Sequence, residues 1–113
     1  MNDRALETCA RIAQLNDAFR KTGRGGRILM TQGIYALGVL AGIEILLLIR
    51  NFDDFSGEND PYFERDMGAF SYAGQRMLWK IDYYDSDMRY GSPDPANPDV
   101  TTRVLTILLA SEY

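Results

Sequence analysis

Residues 68–84 read GAFSYAGQRMLWKIDYY, and this stretch decides the fold. Met77, Trp79, Ile81 and Tyr83 alternate with Leu78, Lys80, Asp82 and Tyr84. A period of two belongs to a half-buried strand. Gly68, Phe70 and Tyr72 alternate in the same way just upstream. Gly74-Gln75 offers a two-residue connection with glycine first, as a type II′ turn requires. That turn sets Tyr72 opposite Met77, Phe70 opposite Trp79 and Gly68 opposite Ile81, so the two aromatic-rich faces coincide. The expectation is a hairpin whose aromatic face is core.

The first segment, Asn2 to Lys21, is expected to be helical. Ala5, Cys9, Ile12, Leu15 and Phe19 recur at three and four, one apolar stripe on a 3.6-residue period. Asn2 suits the N-cap, Arg20 and Lys21 the last turn, and Gly23 a left-handed stop. Gly25 to Met30 reads as a short strand. Thr31 is placed to cap a second helix, expected from about Tyr35 to Asn51. Phe52 to Pro61 is loop, because Pro61 biases Asp60 away from helix.

Asp85 to Asn97 is also loop, since its tail GSPDPANP leaves no room for a ladder. In the end segment VTTRVLTILLA, Asn97-Pro98 favours a helix start. The β-branched Val100, Thr101, Thr102, Val104, Thr106 and Ile107 favour a strand beside the hairpin, and the strand is preferred. The sum is one α+β domain: two helices packed on a small, mostly antiparallel β-sheet containing a central hairpin. At 113 residues the chain fits a single domain able to bury a real core.

Several chemistries are closed by composition. There is no histidine and only one cysteine, Cys9. A serine–histidine triad, a histidine metal site, an intrachain disulfide and a cysteine zinc cage are all excluded. Cys9 lies on the apolar stripe and is expected in the core. The lack of cystine chemistry and of a signal-peptide layout at the start point to the cytoplasm. Gly33 to Ile49 carries Glu44 as its only charge. It is short of the roughly 20 apolar residues of a spanning helix. It is read as a buried helix, with no membrane partner.

Charge is divided unevenly. Residues 1–50 hold seven basic and four acidic side chains, residues 51–113 five and twelve. Nine carboxylates crowd the window from Asp53 to Asp87: Asp53, Asp54, Glu58, Asp60, Glu64, Asp66, Asp82, Asp85 and Asp87. Arg65, Arg76 and Lys80 are the cations among them. Such a surface repels nucleic acid, imitates it, or gathers a cation. The cation reading is weak, because the glycine position of an EF-hand loop falls on Asn59 when counted from Asp54 and on Tyr90 from Asp85. No cofactor is called for. Solvated loops with local turn bonds at Asp53, Asp54 and Asp60 are the plain alternative, as are pairs with Arg65, Arg76, Lys80 and Arg89. The aromatics Phe70, Tyr72, Trp79 and Tyr83 can stack bases in principle, but acidic surroundings argue against direct nucleic-acid binding. The basic stretch RKTGRGGR (Arg20, Lys21, Arg24, Arg27) reads as a helix cap and a solvated connector.

The segments FDDFSGEND, NDPYFERDMGAF, WKIDYYD and GSPDPANPDVTTRVLTILLASEY resemble a family of small bacterial proteins, number 3768 among the domains of unknown function. The resemblance runs from about Arg27 to Tyr113. It implies an alphaproteobacterial protein often carried on plasmids and other mobile elements, and it implies no activity. The family's pattern has histidine-aspartate where this chain has Arg65-Asp66, and the second helix is more apolar here than the family leads one to expect.

Charge asymmetry and this association together point to a non-enzymatic interaction protein of a mobile element. Its most concrete form is an anti-defence inhibitor. The nine carboxylates would enter a basic nucleic-acid channel of a host nuclease or CRISPR effector, with Phe55, Tyr62 or Tyr84 as rim anchors. Two alternatives stand beside it. One is a carboxylate-based divalent-metal module or enzyme. The other is a homodimeric structural or regulatory protein that meets its twin through the Ile34 to Ile49 helix or a free sheet edge.

Overall fold

The computed structural model describes residues 2–56 and 60–113. Helix α1 (Asp3–Thr22) leads to strand β1 (Gly26–Met30), a single helical turn α2 (Gln32–Tyr35) and helix α3 (Val39–Arg50). The hairpin β2 (Met67–Tyr72) and β3 (Gln75–Tyr84) follows, then β4 (Thr102–Leu109). The sheet order is β1-β4-β3-β2. The β2–β3 and β3–β4 pairs are antiparallel, whereas β1 runs parallel to β4. The expected α+β class holds, with one parallel pair in a mixed sheet.

Helix α1 forms where its end signals lie. The Asn2 side chain accepts from the Ala5 amide at 2.8 Å, and Gly23 takes a left-handed φ of 73° as its amide returns to the Phe19 carbonyl. Its inner face is Ile12, Asn16, Phe19 and Arg20. Cys9, expected in the core, is only half-buried, because α1 reaches the sheet mainly through its second half.

The second helix is not continuous. Gly38 has φ 98°, outside the helical region, and separates α2 from α3. A left-handed backbone of this kind favours glycine. Thr31 does not cap α2 through its own side chain. Its hydroxyl instead donates to Glu112 Oε1 at 2.6 Å, and the Gly33 amide donates to Glu112 Oε2 at 3.0 Å. Glu112 thus supplies the oxygens for this turn, and the Thr31 hydroxyl, followed by the Leu109 amide, holds its carboxyl below the ordinary range.

The hairpin is present in a register two residues away from the expected one. The turn is Ala73-Gly74, with φ 50° and 79°, as a type I′ turn demands. Phe70 therefore faces Met77 and Gly68 faces Trp79. A shift of two keeps every side chain on its own face, so the alternation fits either register. Close packing selects the observed one. A Cβ on Gly68 would stand 2.4 Å from Trp79 Nε1 and 2.7 Å from the Phe52 ring, so only glycine admits the indole there.

The core lies between the helices and one sheet face. Phe19, Ile34, Ile45 and Ile49 meet Met77, Trp79, Ile81, Leu105 and Ile107, with Phe70, Tyr72 and Tyr83 packed around them. The C-terminal segment is the strand preferred from its β-branched residues. A 3₁₀ turn, Pro98–Val100, takes the Asn97-Pro98 start signal. β4 then lies between two strands, and its burial on both faces explains why its sequence is nearly continuous in apolar residues.

Candidate functional site

The nine carboxylates fall into separate groups. Glu58 lies outside the described residues. Asp53 and Asp54 follow α3 and are exposed, with Asp54 accepting from the Ser56 hydroxyl at 2.9 Å. Asp85 and Asp87 sit in the turn after β3, where Asp85 Oδ1 accepts from the Arg89 amide at 3.0 Å. The remaining four gather where the chain enters β2. Asp60 Oδ1 accepts from the Arg65 amide at 2.9 Å, Glu64 Oε1 from the Tyr83 hydroxyl at 2.9 Å, and Asp82 stands 2.9 Å from Lys80 Nζ.

Asp66 is the centre of this group. Burial pushes its carboxyl above the ordinary carboxylate range, and the charges of Glu64, Asp60 and Asp82 push it the same way. Its Oδ1 is buried without a hydrogen bond. Among the described residues, no three acidic or cysteine side chains converge as ligands for a cation.

The cations expected to pair with these acids are mostly directed elsewhere. Arg65 bonds Asp17 of α1 at 2.9 Å, because the 60–66 loop folds over that helix. Lys80 pairs along its own strand with Asp82 and not across the hairpin. Arg89 contributes its backbone amide to Asp85.

Behind the acidic group lies a buried polar network absent from the expectations. Asn16 Nδ2 donates to the Tyr83 hydroxyl at 2.8 Å and to the Glu64 carbonyl at 2.9 Å. Arg103 Nε donates to Asn16 Oδ1 at 2.7 Å, and its far nitrogen reaches the Pro95 carbonyl at 2.6 Å. The Arg103 guanidinium also lies over the Tyr83 ring, 5.2 Å from its centroid. Burial drives the Tyr83 phenol far above its usual range and lowers Arg103. Tyr83 therefore keeps its proton at neutral pH. The network closes on itself, and its chemistry is that of a clamp holding α1, the 60–66 loop, β3 and β4 together.

Residues 30–112 match the family model described as "Protein of unknown function (DUF3768)". The chain belongs to the DUF3768 family. The resemblance carried by WKIDYYD and RVLTILLASEY is thereby borne out. No curated protein and no solved structure matches the chain. Helix α1 and all of β1 except Met30 precede the DUF3768 match, yet α1 supplies Asn16, Phe19 and Arg20 to the interior.

Arg20 is the largest departure from the sequence reading of this DUF3768 chain. It was expected in a solvated basic stretch, and it is 1% exposed. Its guanidinium donates to the Ile49 and Arg50 carbonyls at 3.0 and 3.2 Å, which satisfies the end of α3, and to Asp17 at 2.9 Å. It also lies over the Phe55 and Trp79 rings, 5.2 and 5.6 Å from their centroids. Phe55, expected as a rim anchor, is half-buried by the same contacts and stands edge-on to Phe52 and Trp79. Tyr84 is half-buried, whereas Tyr62 is exposed as a rim residue would be.

A cleft of about 640 Å³ opens beside Arg20, lined also by Lys21, Arg50, Arg65, Asp53 and Phe55. Arg20, Lys21 and Arg50 stand where α1 and α3 end. Positive side chains there offset the negative ends of two helix dipoles. Asn16 and Arg20 lie four and eight residues after Ile12, on its helical face. That spacing was the available signal, and residue type concealed it.

Proposed function

We propose that this DUF3768 chain is a non-enzymatic interaction protein that engages a cationic partner through the carboxylates around Asp66. The observation that carries this reading is the gathering of Asp60, Glu64, Asp66 and Asp82 into one group, where burial first and the neighbouring carboxylates after it raise Asp66. Like charges held together weaken the fold that holds them. Such an arrangement serves binding, because a negative surface steers a positive partner and gains free energy when that partner arrives.

The most concrete form is an inhibitor that occupies a basic nucleic-acid channel of a host nuclease or CRISPR effector. The concentration of negative charge in residues 51–113 supports it, and so does the mobile-element setting that the family resemblance implies. Exposed Tyr62, beside this group in sequence, is suited to anchor the contact.

The test is retention of host proteins on the immobilised chain, with an Asp60→Lys, Asp66→Lys, Asp82→Lys variant alongside. The expected result is a nucleic-acid-binding protein held by the wild type, displaced by added DNA or RNA, and lost in the variant. Retention that ignores both charge reversal and nucleic acid rules the reading out.

A further inference from the structure

Helix α3 carries two apolar stripes. Ile45 and Ile49 face the core and are fully buried. Leu40, Ile43 and Leu47 recur at three and four on the opposite side, about 180° away at 100° per residue. They are 70%, 54% and 51% exposed. Tyr35, Val39 and Leu48 extend the patch at 72%, 83% and 47%. Charge stands at its edges: Glu44, which accepts from the Tyr72 hydroxyl, and Arg50 and Lys21, which line the cleft that Leu47 borders. Contiguous apolar surface on this scale marks a binding face.

We infer that this face is the two-fold interface of a homodimer, in which α3 packs antiparallel against α3 of a second copy. Self-complementarity is the first argument. Beside the exposed stripe lies an apolar groove of about 300 Å³, lined by Met30, Tyr35, Val39, Gly42, Ile43 and Leu46. The patch therefore holds both a recess and the projecting leucines that can fill one. A two-fold interface needs both on the same surface, since each copy presents the same residues to the other.

Charge is the second argument. An apolar patch with its charges at the edges matches another of its kind, and antiparallel pairing sets the two helix dipoles in opposition. Area is the third. Six large side chains at these exposures leave on the order of 700 Å² open per copy, against about 800 Å² per partner in a standard interface. This inference is independent of the acidic reading, because it uses none of those carboxylates.

Light scattering and sedimentation of the full chain at about 100 μM give the decisive mass. The expected value is twice 12.8 kDa. A Leu40→Glu, Leu47→Glu variant is expected at the single-chain mass with an unchanged circular dichroism spectrum. A monomeric wild type overturns the inference, even if the face then binds phosphatidylcholine vesicles. So does a variant that stays dimeric, since the contact then lies elsewhere. Should the double variant misfold, Ile43→Cys in a Cys9→Ser background decides. Oxidation is expected to cross-link it to a dimer while an Arg76→Cys control stays monomeric, and equal cross-linking of both overturns the inference.

Discussion

Helices α1 and α3 flank the same core and solve opposite problems. Helix α1 presents polar groups inward: Asn16 and Arg20 are as buried as Ile12 and Phe19, and each finds partners on other elements. Helix α3 presents apolar groups outward, and half or more of Leu40, Ile43 and Leu47 is left exposed. Neither helix follows the simple rule of apolar inside and polar outside. The difference teaches where each completes its contacts. The polar inner face of α1 is met within the fold at all but Arg20 Nε, while the apolar outer face of α3 is left open to solvent.

The two stripes of α3 give the sharpest contrast. Ile49→Ala removes a fully buried side chain next to Trp79 and is expected to cost about 3 kcal/mol in urea denaturation. Leu47→Ala, two residues away, is expected to cost less than about 0.5 kcal/mol when measured dilute enough for single chains to prevail. Equal losses would mean that the far stripe is packed within the chain, and the contrast would fail.

On the α1 side, Tyr83→Phe deletes the hydroxyl that links Asn16 to Glu64. The expected loss is about 1–2 kcal/mol, because Asn16 and Glu64 each lose one partner. Amide exchange in α1 and the 60–66 loop should quicken, with the hairpin little changed. A neutral substitution would show that α1 is held by its apolar residues alone.

The smallest effect belongs to Asp66. Its folded carboxyl titrates above the ordinary 3.8, so between the two values the folded state binds more protons than the unfolded one. Stability then falls as pH rises through the window just above 3.8. Asp66→Asn is expected to flatten that part of the profile and to raise the melting temperature slightly at neutral pH. A lower melting temperature there would identify Asp66 as a stabilising group and remove the case for strain among the four acids.

Much of this architecture could be read from the chain. Asn2 and Gly23 end α1 as their types require, and the alternation of Met77, Trp79 and Ile81 marks both the strand and its buried face. The hairpin register was not legible, because a shift of two leaves that alternation unchanged; the indole above Gly68 selects it, and that is a contact across strands. Arg20 was misread for a related reason. Its burial depends on Phe55, Trp79 and the end of α3, all distant in sequence. The break at Gly38 is hidden by the apolar run around it, which reads as one continuous helix. For the acids, composition showed their number and not their grouping, which depends on the path of the 60–66 loop over α1.

The sheet order also dictates a schedule for synthesis. β4 is translated after the other three strands yet lies between β1 and β3. Until it is available, β1 has no neighbour and the hairpin shows a bare edge. The nascent chain therefore carries its most apolar helix, one unpaired strand and one bare hairpin edge while it waits for one segment. Joining ends so far apart along the chain is slow, and exposed edges invite association in the meantime.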